Sequence, residues 1–124
     1  MSQSYKKILF IIIFFIILQF QISAAAKMLE KDYVNMYCNG ETEYVLPDKT
    51  RVDCLTEEYA IEFDYAKKWA ESIGQSLYYS KMTDKKPAVA IIVKKPSDKK
   101  YIRRILKAEP GITVFIIPAC NDYD

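Results

Sequence analysis

Arg51-Val52-Asp53-Cys54-Leu55 and, after a three-residue gap, Tyr59-Ala60-Ile61-Glu62-Phe63-Asp64-Tyr65 are the runs that decide the fold. In the second run Tyr59, Ile61, Phe63 and Tyr65 take one face while Ala60, Glu62 and Asp64 take the other, the two-residue period of a strand. The gap is long enough for a tight turn, so the two runs read as a hairpin. Such a hairpin brings the carboxylates of Asp53 and Glu62 together at one sheet edge.

Working outward, Thr42 to Leu46 is another short extended run, joined to Arg51 by the turn Pro47-Asp48-Lys49-Thr50. Before it, Met28, Leu29, Val34, Met36 and Tyr37 lie in a polar background stopped by Asn39-Gly40, which predicts a helix with a glycine end. After the hairpin a helix is expected from Ala66 to Ser80, with Trp69, Ile73, Leu77 and Ser80 along one stripe. Ala88-Val89-Ala90-Ile91-Ile92-Val93 is continuously apolar, as in a strand covered on both faces. Pro96-Ser97 opens a helix from Asp98 to Lys107, and Pro110-Gly111 turns into a last strand, Ile112 to Ile117. The order is α-β-β-β-α-β-α-β, an α/β fold with a central sheet flanked by helices.

At 124 residues the chain is one domain at most, and a composition 51% hydrophobic and 27% charged excludes a disordered class. It has no His, which removes Ser-His-Asp and Cys-His nucleophiles, His-ligated zinc and imidazole acid-base work. Catalysis would therefore run on carboxylates, lysines, tyrosines or a carboxylate-bound metal. Three cysteines are too few for a disulfide framework. Cys38 paired with Cys54 would tether the first helix to the second strand, and an odd thiol would remain; unpaired, Cys54 packs as a small hydrophobe on the face opposite Asp53.

The first 26 residues have the three-part order of an export signal: Lys6-Lys7, an apolar run from Ile8 to Phe20 broken by Gln19, and Ser23-Ala24-Ala25-Ala26 at a cleavage site. Cleavage near Ala26 would leave a periplasmic or secreted domain of residues 27–124 with no membrane contact. The alternative is an uncleaved anchor through residues 8–20. The leader holds two lysines and no acids, so residues 27–124 carry 16 basic and 16 acidic side chains. Their distribution is uneven: residues 41–64 are net −6 and residues 65–107 net +9. An acidic cluster followed by a basic half suits a metal beside a polyanion, and it equally suits two solvated faces.

Paired carboxylates without His favour a hard divalent ion, Mg²⁺ or Mn²⁺. Glu43 on the preceding strand and Asp64, two residues past Glu62, are further oxygen donors.

On Arg51-Val52-Asp53, Ile61-Glu62-Phe63-Asp64 and Gly74-Gln75-Ser76-Leu77-Tyr78-Tyr79 the chain resembles the PD-(D/E)XK nuclease superfamily, the restriction-endonuclease-like fold. Gln75 and Tyr79 resemble the Gln-x-x-x-Tyr motif of its RecB-like branch, and the α-β-β-β-α-β core order agrees. The Arg51 to Tyr79 stretch also looks like a group of small bacterial proteins of this fold. The resemblance implies a DNA phosphodiester hydrolase in which Asp53 and Glu62 hold Mg²⁺ and Gln75 and Tyr79 position the strand. Val52 stands where the family usually has Pro, and Asp64 replaces the motif lysine. Lys67 and Lys68 are the substitutes, with Lys68 favoured because Gln75 lies seven residues on, about two helical turns and so on the same face. DNA would be met by Lys67, Lys68, Lys94, Lys95, Lys99, Lys100, Arg103 and Arg104. The alternative from another class is an exported binding protein on the same fold whose acidic edge is a relic.

Overall fold

The computed structural model describes residues 2–21 and 27–120, the side chains of 19–21 excepted. Helix α1 (Gln3–Gln21) precedes α2 (Glu30–Tyr37), β1 (Glu41–Val45), β2 (Arg51–Leu55), β3 (Tyr59–Tyr65), α3 (Trp69–Thr83), β4 (Lys86–Val93), α4 (Lys99–Ala108) and β5 (Thr113–Pro118). Short 3-10 turns at Ala66–Lys68 and Pro96–Asp98 lead into α3 and α4. From α2 onward, the expected element order is the observed one.

The five strands lie in chain order across one mixed sheet. β1, β2 and β3 form an antiparallel meander, whereas β3, β4 and β5 are parallel. A parallel pair needs a crossover, which α3 and α4 supply. Residues of β4 alternate between two cores. Ala88, Ala90 and Ile92 pack with Ile61, Phe63 and the α2 residues Tyr33 and Val34, while Val89 and Ile91 pack with Ala66, Ile102, Ile105 and Ile112 beneath α3 and α4. The continuous apolar run is thus a strand buried on both faces.

The stripe expected on α3 is rotated. Trp69 and Ile73 are only partly buried, and the residues pressed hardest against the sheet are Ser72, Ser76 and Tyr79. Small hydroxyl side chains bring the helix close to polar sheet groups: the Ser76 hydroxyl donates to the Ala88 carbonyl at 2.9 Å and that of Ser72 to Asp64 at 2.7 Å. Hydropathy periodicity favours Leu77 over Ser76 and cannot see this.

α2 has two turns, too few to hold itself, and side-chain links fix it. Asp32 accepts the Leu29 N–H at 2.7 Å, Tyr65 donates to the Met28 carbonyl at 2.8 Å, and the Tyr33 hydroxyl accepts the Cys120 N–H at 3.1 Å. A disulfide joins Cys38, at the end of α2, to the fully buried Cys54 of β2. Cys54 is therefore a bridge rather than a free apolar side chain, and Cys120 is the thiol left over.

In α1 the apolar side chains from Ile8 to Leu18 are exposed. Among the described residues no helix is long and apolar enough to cross a membrane. The expected cleavage site at Ser23 to Ala26 lies outside the described residues.

The bridge closes a loop with a sequence separation of 16, so exchanging both cysteines for serine should lower unfolding stability by about 3 kcal/mol through the greater freedom of the unfolded chain. Urea denaturation of the oxidised protein and of the double variant gives that difference directly; equal midpoints would show that α2 holds without its tether.

A buried carboxylate cluster as the candidate functional site

The β2–β3 ladder stops early. Cys54 pairs with Ile61 and Leu55 with Ala60, a register that sets Asp53 opposite Glu62, yet no backbone pair follows. The Asp53 carboxylate instead accepts the Phe63 N–H at 2.9 Å. Val52 and Cys54, two apart, pack into different cores, Val52 beside Tyr79 of α3 and Cys54 beside α2. β2 is therefore irregular at Asp53, and its side chain closes the ladder where the main chain leaves it. Across β1, Glu43 occupies the matching position and has a left-handed backbone, φ 55°.

Glu62 and Asp64 project from β3 on the α3 side and are only 6% and 4% exposed. The Asp64 oxygens have partners, Ser72 on one and the Lys68 ammonium at 3.8 Å from the other. Glu62 is different: its Oε2 is buried and accepts no hydrogen bond. Its carboxyl and that of Asp53 lie within hydrogen-bonding reach of each other. Two carboxylates cannot share that space fully ionised without a proton or cation between them.

The electrostatics follow. Burial, and then the charges of Asp53 and Asp64, push the Glu62 carboxyl up to about 9. Burial also raises Asp64 to about 6, against the opposing hydrogen bond from Ser72. Asp53 is raised by burial, partly offset by the Phe63 N–H. Tyr79, 6% exposed, has its hydroxyl pKa raised by burial and then by Glu62 and Asp53, and Gln75 reaches that hydroxyl.

Lys68, from the turn before α3, and Tyr79, from α3 itself, thus act on the acidic group, and Gln75 borders the Tyr79 hydroxyl rather than the acids. Lys68 extends from the turn to Glu30 at 2.9 Å and toward Asp64, and the hydrogen bond with Glu30 holds its pKa above the ordinary lysine value. Lys67 is exposed and makes no ion pair among the described residues. Glu43 stays at the surface, 3.4 Å from Arg51. Of the four expected metal donors, Asp53 and Glu62 are together, Asp64 is beside them with its oxygens engaged, and Glu43 lies at the surface across β1, where its charge still raises Asp53.

Glu30 was not foreseen. It opens α2, 38 residues before Lys68, and its charge acts on Asp53, Glu62 and Asp64 as well as on Lys68. An acid in the first turn of a helix is so common a helix-start feature that its sequence context carries no mark of a site. Among the described residues no set of three or more His, Cys, Asp or Glu side chains is arranged to hold a metal ion.

The cluster makes the stability depend on pH with a definite sign. Unfolded, Glu62 and Asp64 lose their protons near their ordinary values of 4.5 and 3.8; folded, they keep them to about 9 and about 6. Between those limits the folded state binds more protons, so stability falls as pH rises. In chelator-containing buffer the melting temperature should be lower at pH 8 than at pH 5, and Glu62→Gln should flatten most of that slope. Ser72→Ala, which strips Asp64 of its buried donor, should cost about 1–3 kcal/mol. A wild-type melting temperature that rises over this interval would contradict the burial of these acids.

No family model, no curated protein and no solved structure matches this chain.

Proposed function

We propose that the chain is a metal-dependent nuclease of the restriction-endonuclease-like type, hydrolysing DNA phosphodiesters. The observation that carries this reading is the unpartnered, buried Oε2 of Glu62 beside the carboxyl of Asp53. A buried carboxylate with no donor is a standing destabilisation unless it keeps its proton or a cation belongs next to it, and the cation is what we propose here. The antiparallel meander extended by parallel β4 and β5, with α2 ahead of it, agrees with the α-β-β-β-α-β core that the motifs imply.

The donor set fits Mg²⁺ or Mn²⁺: hard oxygens only, two carboxylates, and room in such a coordination sphere for water. Asp53 and Glu62 would hold the ion, which would neutralise charge developing on a phosphoryl group. The chain's own residues supply the rest. The Lys68 ammonium, fixed by Glu30 and close to Asp64, carries a permanent positive charge to orient water and steady an anionic transition state. It acts as an electrostatic group rather than as a base, because its acidic neighbours raise its pKa. Tyr79 keeps its proton at neutral pH and so remains a donor at the cluster, with Gln75 holding the hydroxyl.

Export belongs to the same proposal. The disulfide between Cys38 and Cys54 is of the kind that persists in oxidising compartments, in keeping with the leader. The second reading, an exported binding protein without catalysis, draws on two observations: the lysine engages Glu30 at 2.9 Å, and an acid, Asp64, stands in the position of the motif lysine.

Calorimetric titration with Mg²⁺ and Mn²⁺ should show a site that Asp53→Asn and Glu62→Gln each remove, and both variants should lose metal-dependent cleavage of plasmid and single-stranded DNA. Lys68→Ala should lower the cleavage rate about 100-fold, the scale of one lost electrostatic group at a transition state, with Lys67→Ala near wild type. Metal binding without cleavage would favour the binding protein; no metal binding would remove the nuclease.

A further inference from the structure

From Val93 to Ala108 the chain carries Lys94, Lys95, Lys99, Lys100, Arg103, Arg104 and Lys107 against one acid, Asp98. That acid does not neutralise them. Asp98 is buried, and its carboxylate is used by the N–H groups of Lys94 and Lys95 at 2.9 and 3.3 Å. Lys95, Lys99, Lys100, Arg103, Arg104 and Lys107 are exposed, and none of these six makes an ion pair among the described residues.

A solvated helix face accounts for charge alone. It does not account for the rings set among these cations. The Arg104 guanidinium lies 5.8 Å from the ring centre of Trp69 and 5.4 Å from that of Tyr101. The ammonium of Lys100 is 5.0 Å from Tyr101, and that of Lys94 is 4.6 Å from Tyr65. Trp69 and Tyr101 come from separate elements and are half-buried against the core beneath α3 and α4, whereas Tyr65 packs on the α2 face of the sheet. Their seats hold the neighbouring charges in place, so that fewer side-chain rotamers are lost when a ligand binds.

The position of this shelf matters. Trp69 directly follows Lys68 after β3, and Tyr101 lies in the first turn of α4 after β4, so these two rings border the carboxyl ends of the parallel strands. Asp64 and Lys68 lie at the same end.

We infer that this shelf binds single-stranded nucleic acid, its phosphates along Lys95, Lys99, Lys100 and Arg103 and its bases against the Trp69–Arg104–Tyr101 group. Single strands expose the faces of their bases to aromatic and guanidinium planes; a duplex offers its phosphates but keeps those faces stacked. As the strand-delivering surface of the carboxylate site, the shelf rests on the nuclease reading; as a binding surface, it is measured without it.

Trp69 is the single tryptophan of the chain, so stacking is read from intrinsic fluorescence. The full chain, in EDTA to prevent hydrolysis, is titrated with an oligothymidylate of roughly twelve nucleotides, within the span of a small single-strand site. Trp69 emission should be quenched, and the affinity should fall with salt at a log–log slope of about −0.7 for each phosphate neutralised. Arg104→Ala should weaken binding about tenfold and abolish most of the quench. Arg104→Lys should recover the charge-dependent part only, and Lys81→Ala on α3 should change nothing. An unchanged emission, equal affinity for a duplex of the same length, or the same quench by polyphosphate or anionic vesicles would each overturn the inference. Metal-dependent cleavage without a Trp69 response would remove this surface and leave the hydrolase, whereas a quenched complex that is never cleaved in Mg²⁺ or Mn²⁺ would do the reverse.

Discussion

The structure turns on one substitution of side chain for main chain: the carboxylate of Asp53 takes the amide hydrogen of Phe63 where the β2–β3 ladder ends. Without it the Phe63 amide would be an unpaired donor next to the core. With it, the strand ends are held at a separation that admits the Glu62 side chain beside Asp53. Binding the backbone and facing another acid are therefore the same act for Asp53. The local rule that ladders use backbone groups is broken at the point where the buried acids are concentrated.

The surrounding elements act as buttresses for that opening. α3 approaches on serines, and one of them holds Asp64 while leaving Glu62 without a donor. From the opposite face α2 sends Glu30 round to meet Lys68, and the bond from Cys38 to Cys54 fixes α2 to the residue after Asp53. The apolar cores contribute most of the folding free energy through burial of β4 and its neighbours. The acids draw on that stability, because desolvated carboxyls oppose folding whenever they must ionise.

Much of this was legible in the sequence, and what was not has physical reasons. The alternation of Tyr59 to Tyr65 placed Glu62 and Asp64 on one face, and the faces found are those faces. The order of elements followed from turn residues and apolar runs, and the hairpin register put Asp53 across from Glu62. The side of the sheet was readable, but the depth was not, since a period of two says nothing about what lies above a strand. The serine face of α3 was hidden because Ser72 and Ser76 are buried for their hydroxyls rather than for apolar area. Glu30 was hidden by distance along the chain, and the choice of Lys68 over Lys67 as the amine nearest the acids rested on helical spacing alone.

The unpartnered oxygen of Glu62 also bears on how such a chain drifts. At a buried position beside two other acids, a neutral replacement relieves both the desolvation and the repulsion that the glutamate bears, so mutation has an easy downhill route away from it. A relic edge would be expected to take that route early, because nothing in folding resists it. Selection for a cation site of the kind proposed would act against that route.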